Sequence, residues 1–140
     1  MKVVVDTNIL ISGLLWSGAP KKLLLLAEQG DIVFCVNAAM LTELERVLHY
    51  SKFKDTLTRI GKTSEDIINE FIEIAEVLPQ TERVRVPGLA DETDEKFLAC
   101  ALAARADVVI SGDKHLLRLK RFHTIEIVSA REFLRRFRKK

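Results

Sequence analysis

The chain has 140 residues, 48% hydrophobic and 30% charged, with a formal net charge of +2. That length suits one domain, here expected to span residues 1–140, able to bury roughly two thirds of its unfolded surface, and the ordinary apolar content excludes a disordered chain. The longest uncharged stretch, residues 7–20, is broken by Asn8, Ser12, Gly13, Ser17 and Gly18 and falls short of the ~20 apolar residues of a membrane span.

Val3-Val4-Val5 is a β-branched run ending at Asp6, and it predicts the first strand. The stretch from Asp6 to Trp16 is predicted as a loop, where Trp16 could stack on a base or pack against the body; it is not assigned to a site. Pro20 opens an apolar helical pattern that runs through Leu26 and stops at Gly30, in keeping with the usual placing of Pro and Gly at helix ends. A buried strand is predicted over 32–36 and a helix over 38–49. Helices over 52–59 and 64–77 follow, then a short strand over 84–86. An alanine-rich helix over 94–105, a strand over 107–110, a short helix over 114–119 and a strand over 125–128 complete the order. A basic amphipathic helix over 129–140 closes the chain, with Phe133, Leu134 and Phe137 as its apolar stripe.

Continuous apolar strands alternating with helices predict an α/β fold, a mostly parallel sheet covered on both faces. In such sheets ligands bind beyond the carboxyl ends of the strands, which directs attention to Asp6 and Asp113. Cys35 and Cys100 lie among apolar residues and are expected to be reduced core thiols. Asp6 interrupts the first apolar run, so no secretory signal is expected and the chain is placed in the cytoplasm. Charge is uneven. Residues 131–140 carry six basic residues and one acid, or +5, leaving −3 for the rest. A basic tail suits a polyanionic partner, or simply solvates a helix end.

Phosphate-binding glycine signatures are absent after the first strand, and His49, His115 and His123 are scattered without zinc spacing. Carboxylates are left as the candidates. Asp6 follows the first strand, Asp94 opens a helix where Asp91 and Thr93 compete as caps, and Asp113 follows the strand over 107–110. Each alone could be a helix cap. Glu43 and Glu45 flank the apolar face of the helix over 38–49 on opposite sides, and periodicity does not choose between them. Acids gathered at one sheet edge repel unless a cation compensates. An all-oxygen cluster favours Mg²⁺ or Mn²⁺, metals that serve phosphoryl chemistry.

Four motifs then stand in order: Val5-Asp6-Thr7-Asn8-Ile9-Leu10, Thr42-Glu43-Leu44-Glu45-Arg46-Val47-Leu48, Asp91-Glu92-Thr93-Asp94-Glu95-Lys96-Phe97-Leu98 and Ser111-Gly112-Asp113-Lys114-His115-Leu116-Leu117. Together they resemble the motifs of PIN domains, and most of all the VapC-like toxins of toxin–antitoxin pairs. The resemblance implies a metal-dependent ribonuclease on a three-layer α/β/α fold, with Asp6, Glu43, Asp94 and Asp113 as the catalytic, metal-binding acids. It selects Glu43 over Glu45 and gives Asn8 and Ser111 a supporting role beside the acids. It also implies an RNA substrate and an antitoxin protein as partner; a homodimer is expected besides. Hydrolysis would leave a 3′-hydroxyl and a 5′-phosphate. Two departures stand out: Glu92 where the family often has Pro, and His115 where it often has a further acid. Two other readings are weighed. One is a catalytically silent PIN-like module that binds protein or RNA. The other is a phosphatase of the haloacid dehalogenase type, which needs an acid where Asn8 stands.

Overall fold

The computed structural model describes residues 1–79, 81–89 and 92–138, without the side chains of Glu92 and Arg138. Asp91 as a competing cap, and Lys139 and Lys140 of the tail, lie outside the described residues. The strands are β1 (Lys2–Val5), β2 (Val33–Val36), β3 (Ala75–Val77), β4 (Val108–Ile110), β5 (Arg121–Phe122) and β6 (Ile125–Val128). The helices are α1 (Thr7–Leu15), α2 (Ala19–Glu28), α3 (Ala38–Leu48), α4 (Lys54–Ile60), α5 (Ser64–Glu73), α6 (Glu95–Ala104), α7 (Lys114–Leu119) and α8 (Ala130–Arg138).

The sheet order is β3-β2-β1-β4-β6-β5. All pairings are parallel except β5 with β6, so the architecture is a central, mostly parallel sheet flanked by helices. β1 lies at the middle, with Val3 opposite Phe34 on one side and Val108 on the other. Val3 and Val4 are completely buried, which is why β1 reads as an unbroken β-branched run. From β1 the chain steps outward to β2 and β3, then returns to build β4, β6 and β5 on the other side. The direction of winding therefore reverses between β1 and β4, the place where such sheets open a crevice.

Four segments differ from the sequence-based expectation. The predicted loop after Asp6 is helix α1, and Trp16 is its C-terminal cap. Five of its nine residues are buried and Gly13 sits inside it, so its pattern is apolar without a clear helical period. Gly13 lets α2 approach: a Cβ there would stand 2.7 Å from the Pro20 carbonyl oxygen. The helix predicted over 64–77 stops at Glu73, and residues 75–77 form edge strand β3 against β2. Residues 84–86 form no strand. Instead Val86 is buried, and its amide donates to Glu95 at 2.8 Å, tying this segment to the first turn of α6. Arg121–Phe122 is the short antiparallel strand β5, which no sequence signal announced.

The apolar stripe of α8 holds that helix to the body. Phe133 is buried, and Leu134 and Phe137 pack against the core. Arg135 pairs with Glu132, and Arg136 with Glu126 and Glu132, so part of the tail's positive charge is engaged within the chain. Cys35 and Cys100 are both buried and free. Among the described residues no single helix is long and apolar enough to cross a membrane.

Candidate active site

Asp6 follows the last residue of β1 and caps α1, its Oδ1 accepting from the Ile9 amide at 2.9 Å. Its Oδ2 reaches across the gap between β1 and β4. There it accepts from the Ser111 hydroxyl at 2.5 Å and the Gly112 amide at 3.0 Å. Asp6 is only 6% exposed. Burial pushes its carboxyl above the ordinary value and neighbouring Asp113 adds to the rise, while the bonds from Ser111, Ile9 and Gly112 pull it down.

Ser111 has no exposed surface, and its hydroxyl also accepts from the Asp113 amide at 2.9 Å. One side chain thus fixes both acids. Asp113 caps α7, its Oδ1 accepting from the amides of His115 at 2.7 Å and Leu116 at 3.2 Å. Its Oδ2 has no hydrogen-bond partner among the described residues. A capping role and a place beside Asp6 are therefore compatible, because only one carboxyl oxygen is used by the helix.

Glu43 lies half-buried on α3. Its Oε2 accepts from the Thr7 hydroxyl, and its Oε1 lies 3.3 Å from Lys96 Nζ and 3.9 Å from Arg46. Thr7 adjoins Asp6 in sequence and is itself buried, so this bond fastens α3 to the acid at the end of β1. Glu45 is exposed on the same helix. Asp94 occupies the cap position of α6 and is half-buried; α6 packs on β1, β2 and β4. Asn8 is exposed in the first turn of α1 and is not among the hydrogen-bond partners of Asp6. It shares a shallow concavity with Ser12, Trp16 and Lys52.

Two residues were not singled out from sequence. Thr7 stood inside a quoted motif without a role, although a hydroxyl next to a strand-end acid is a readable signal. Lys96, with Nζ against Glu43 and the Thr93 carbonyl, carried none, because its meaning depends on α3 lying opposite.

The donors here are all oxygens, which suits a hard divalent cation. The buried Asp6 carboxylate, raised further by Asp113, is a charge that a cation would relieve, and Asp113 Oδ2 is open to it. Among the described residues no three acids, histidines or cysteines converge into a ready cage. Glu43 meets Lys96 instead. The donor chemistry fits such an ion at Asp6 and Asp113, while Glu43 is held by Thr7 and Lys96.

An uncharacterized protein of Methanocaldococcus jannaschii, MJ1680, is 28% identical over 99% of this chain and 93% of its own length. Among solved structures, the crystal structure of VapBC2 from Rickettsia felis bound to a DNA fragment from their promoter aligns with a TM-score of 0.60. The alignment covers 91% of this chain and 97% of that one. At 15% identity that likeness is one of fold. The profile of the PIN domain matches residues 2–115, a span that contains all four candidate acids, and the chain belongs to the PIN domain family.

Proposed function

We propose that this chain is a Mg²⁺- or Mn²⁺-dependent ribonuclease, with Asp6, Glu43, Asp94 and Asp113 as the acidic site of one PIN domain. The observation that carries the reading is the pairing of Asp6 and Asp113 at the β1/β4 crevice, clamped by buried Ser111. A divalent cation, when bound, supplies Lewis-acid polarisation of the phosphate and makes water a better nucleophile. The chain's own part is positioning. Ser111 and the Gly112 amide hold Asp6, the α7 amides hold one oxygen of Asp113, and Thr7 sets the direction of Glu43. Family membership and the fold shared with a VapBC complex support a toxin role with an antitoxin protein as partner. A homodimer in the cytoplasm belongs to the same proposal.

The test is cleavage of single-stranded RNA with Mn²⁺ and with a chelator, comparing Glu43→Gln with Glu45→Gln. Loss of a group that shapes the metal site should slow cleavage on the order of a hundredfold, given the several kcal/mol such sites supply. Glu45→Gln should remain near the parent. Equal rates for the two variants would reject the assignment of Glu43. The lack of a ready cage among the described residues, with Lys96 on Glu43, favours one second reading, a silent binding module. That reading requires that Mn²⁺ leave the melting temperature unchanged.

A further inference from the structure

On the outward face of α1 lies a group of side chains that the proposed cleavage does not use. Asn8, Ser12 and Trp16 follow one another at intervals of four, so they share one side of the helix. Trp16 is 44% exposed although it is the largest apolar side chain in the protein. Its ring leans on Phe53 with centroids 5.8 Å apart and planes tilted by 49°. Lys52 Nζ lies 5.1 Å from the centroid of the same Phe53 ring. Asn8, Ser12, Trp16, Lys52 and Phe53, with Ile11 beneath, line one concavity. The Asn8 amide is exposed and has no hydrogen-bond partner among the described residues.

From these observations we propose that the concavity is a base-binding subsite, in which one base of a single-stranded RNA stacks on Trp16. The Lys52 ammonium would meet the adjoining phosphate, and the Asn8 amide the edge of a neighbouring base. The subsite rests on the ribonuclease reading for its substrate class and deepens it. Three features select this occupant. Trp16 offers an aromatic face that is partly free, the kind of surface on which any base stacks. Charge is complementary to a polyanion: Lys52 lines the concavity and none of its lining residues is an acid. The strip also starts close to the first acid along the chain. Asn8 is two residues from Asp6, and Trp16 lies about 12 Å farther along the helix axis at 1.5 Å per residue. A strand whose phosphate sits at Asp6 and Asp113 would therefore lay a base a few nucleotides away on Trp16.

Trp16 is the only tryptophan in the chain, so its fluorescence reports the contact directly. The experiment titrates the full chain, in chelator so that no cleavage occurs, with an eight-residue oligoadenylate. An abasic oligomer of equal length serves as the second probe. Saturable quenching by oligoadenylate, with much weaker binding of the abasic oligomer, is expected. Trp16→Ala should weaken oligoadenylate binding by about tenfold to a hundredfold, the range of one base stacked on an aromatic side chain, and Trp16→Phe should recover part of it. Lys52→Gln should lower the salt slope of binding by about 0.7, the value of one phosphate contact on a single strand. Melting temperatures of the variants check that each remains folded.

Equal affinity for the two oligomers, or no change in Trp16→Ala, would overturn the subsite; the exposed ring would then be left for a protein partner. The two readings fail separately. RNA cleavage with Mn²⁺ but no Trp16 effect removes the subsite alone. Base-dependent quenching in a protein that never cleaves RNA removes the ribonuclease and keeps the subsite.

Discussion

Replacing Ser111 with Ala removes the hydroxyl that joins the two strand-end acids. The side chain has no exposed surface, so water cannot take over its bonds without opening the crevice. Two interactions are lost. The first is the 2.5 Å bond to the Asp6 carboxylate, a hydrogen bond to a charged group worth about 1.5–3 kcal/mol. The second is the bond from the Asp113 amide at 2.9 Å, a donor left beside a partly exposed residue and adding at most about 1 kcal/mol. A total near 2–3 kcal/mol should lower the melting temperature by roughly 6–9 °C at neutral pH, at about 3 °C per kcal/mol for a chain of this size.

The pH dependence tests the cause. Burial raises the Asp6 carboxyl above its ordinary 3.8, so the native state takes up this proton before the unfolded chain does. The penalty on charged Asp6 is complete at neutral pH and is relieved as pH falls through the raised value. Ser111 favours the charged form; the cost of Ser111→Ala should therefore be largest at neutral pH and shrink on acidification through the same window. Urea unfolding at a series of pH values, with an unchanged dependence on denaturant, measures this. A cost below about 0.5 kcal/mol, which is what an inconsequential substitution shows, or a cost that does not vary with pH, would refute the clamp.

Other expectations follow from the same structure. Mn²⁺ at a hundred times its dissociation constant should stabilise the protein by about 2.7 kcal/mol, raising the calorimetric melting temperature, and Asp113→Asn should reduce that gain. Gly13→Ala would set a methyl 2.7 Å from the Pro20 carbonyl oxygen; the overpacking should cost about 1–3 kcal/mol, measured by chemical unfolding. Burial pushes the Cys35 thiol up to about 11 and the Cys100 thiol up to about 12. Both should resist a thiol reagent at neutral pH until the chain is unfolded, since the thiolate is the reactive form.

β1, β2, β4 and β6 were legible because strands covered on both faces leave unbroken apolar runs. Asp6 and Asp113 were legible as candidates because they directly follow or lie near the ends of two such runs. Less readable was α1, whose buried residues surround the helix rather than forming a stripe. β3 was hidden for a related reason: Ile67 and Phe71 carry a helical period up to a three-residue edge strand whose pairing depends on β2. The choice between Glu43 and Glu45 could not come from α3 itself. Its two flanks are equivalent in period, and only the arrival of Thr7 and Lys96 from other elements distinguishes them. Motif resemblance supplied that choice where periodicity stopped.

The Ser111–Asp6 bond spans 105 positions of sequence, and this has a consequence for how the protein comes into being. During synthesis Asp6 emerges among the first residues, yet its partner is made only when most of the chain exists. Until β4 docks against β1, the carboxylate has neither Ser111 nor Gly112, and the crevice is absent. Contacts so distant in sequence form late, because the intervening loop must first lose its freedom. A chain ending before residue 111 keeps the first acid and the α3 glutamate with its Thr7 partner, but lacks Asp113 and the Ser111 and Gly112 groups that hold Asp6. Completion of the polypeptide is thus a structural precondition for assembling the site.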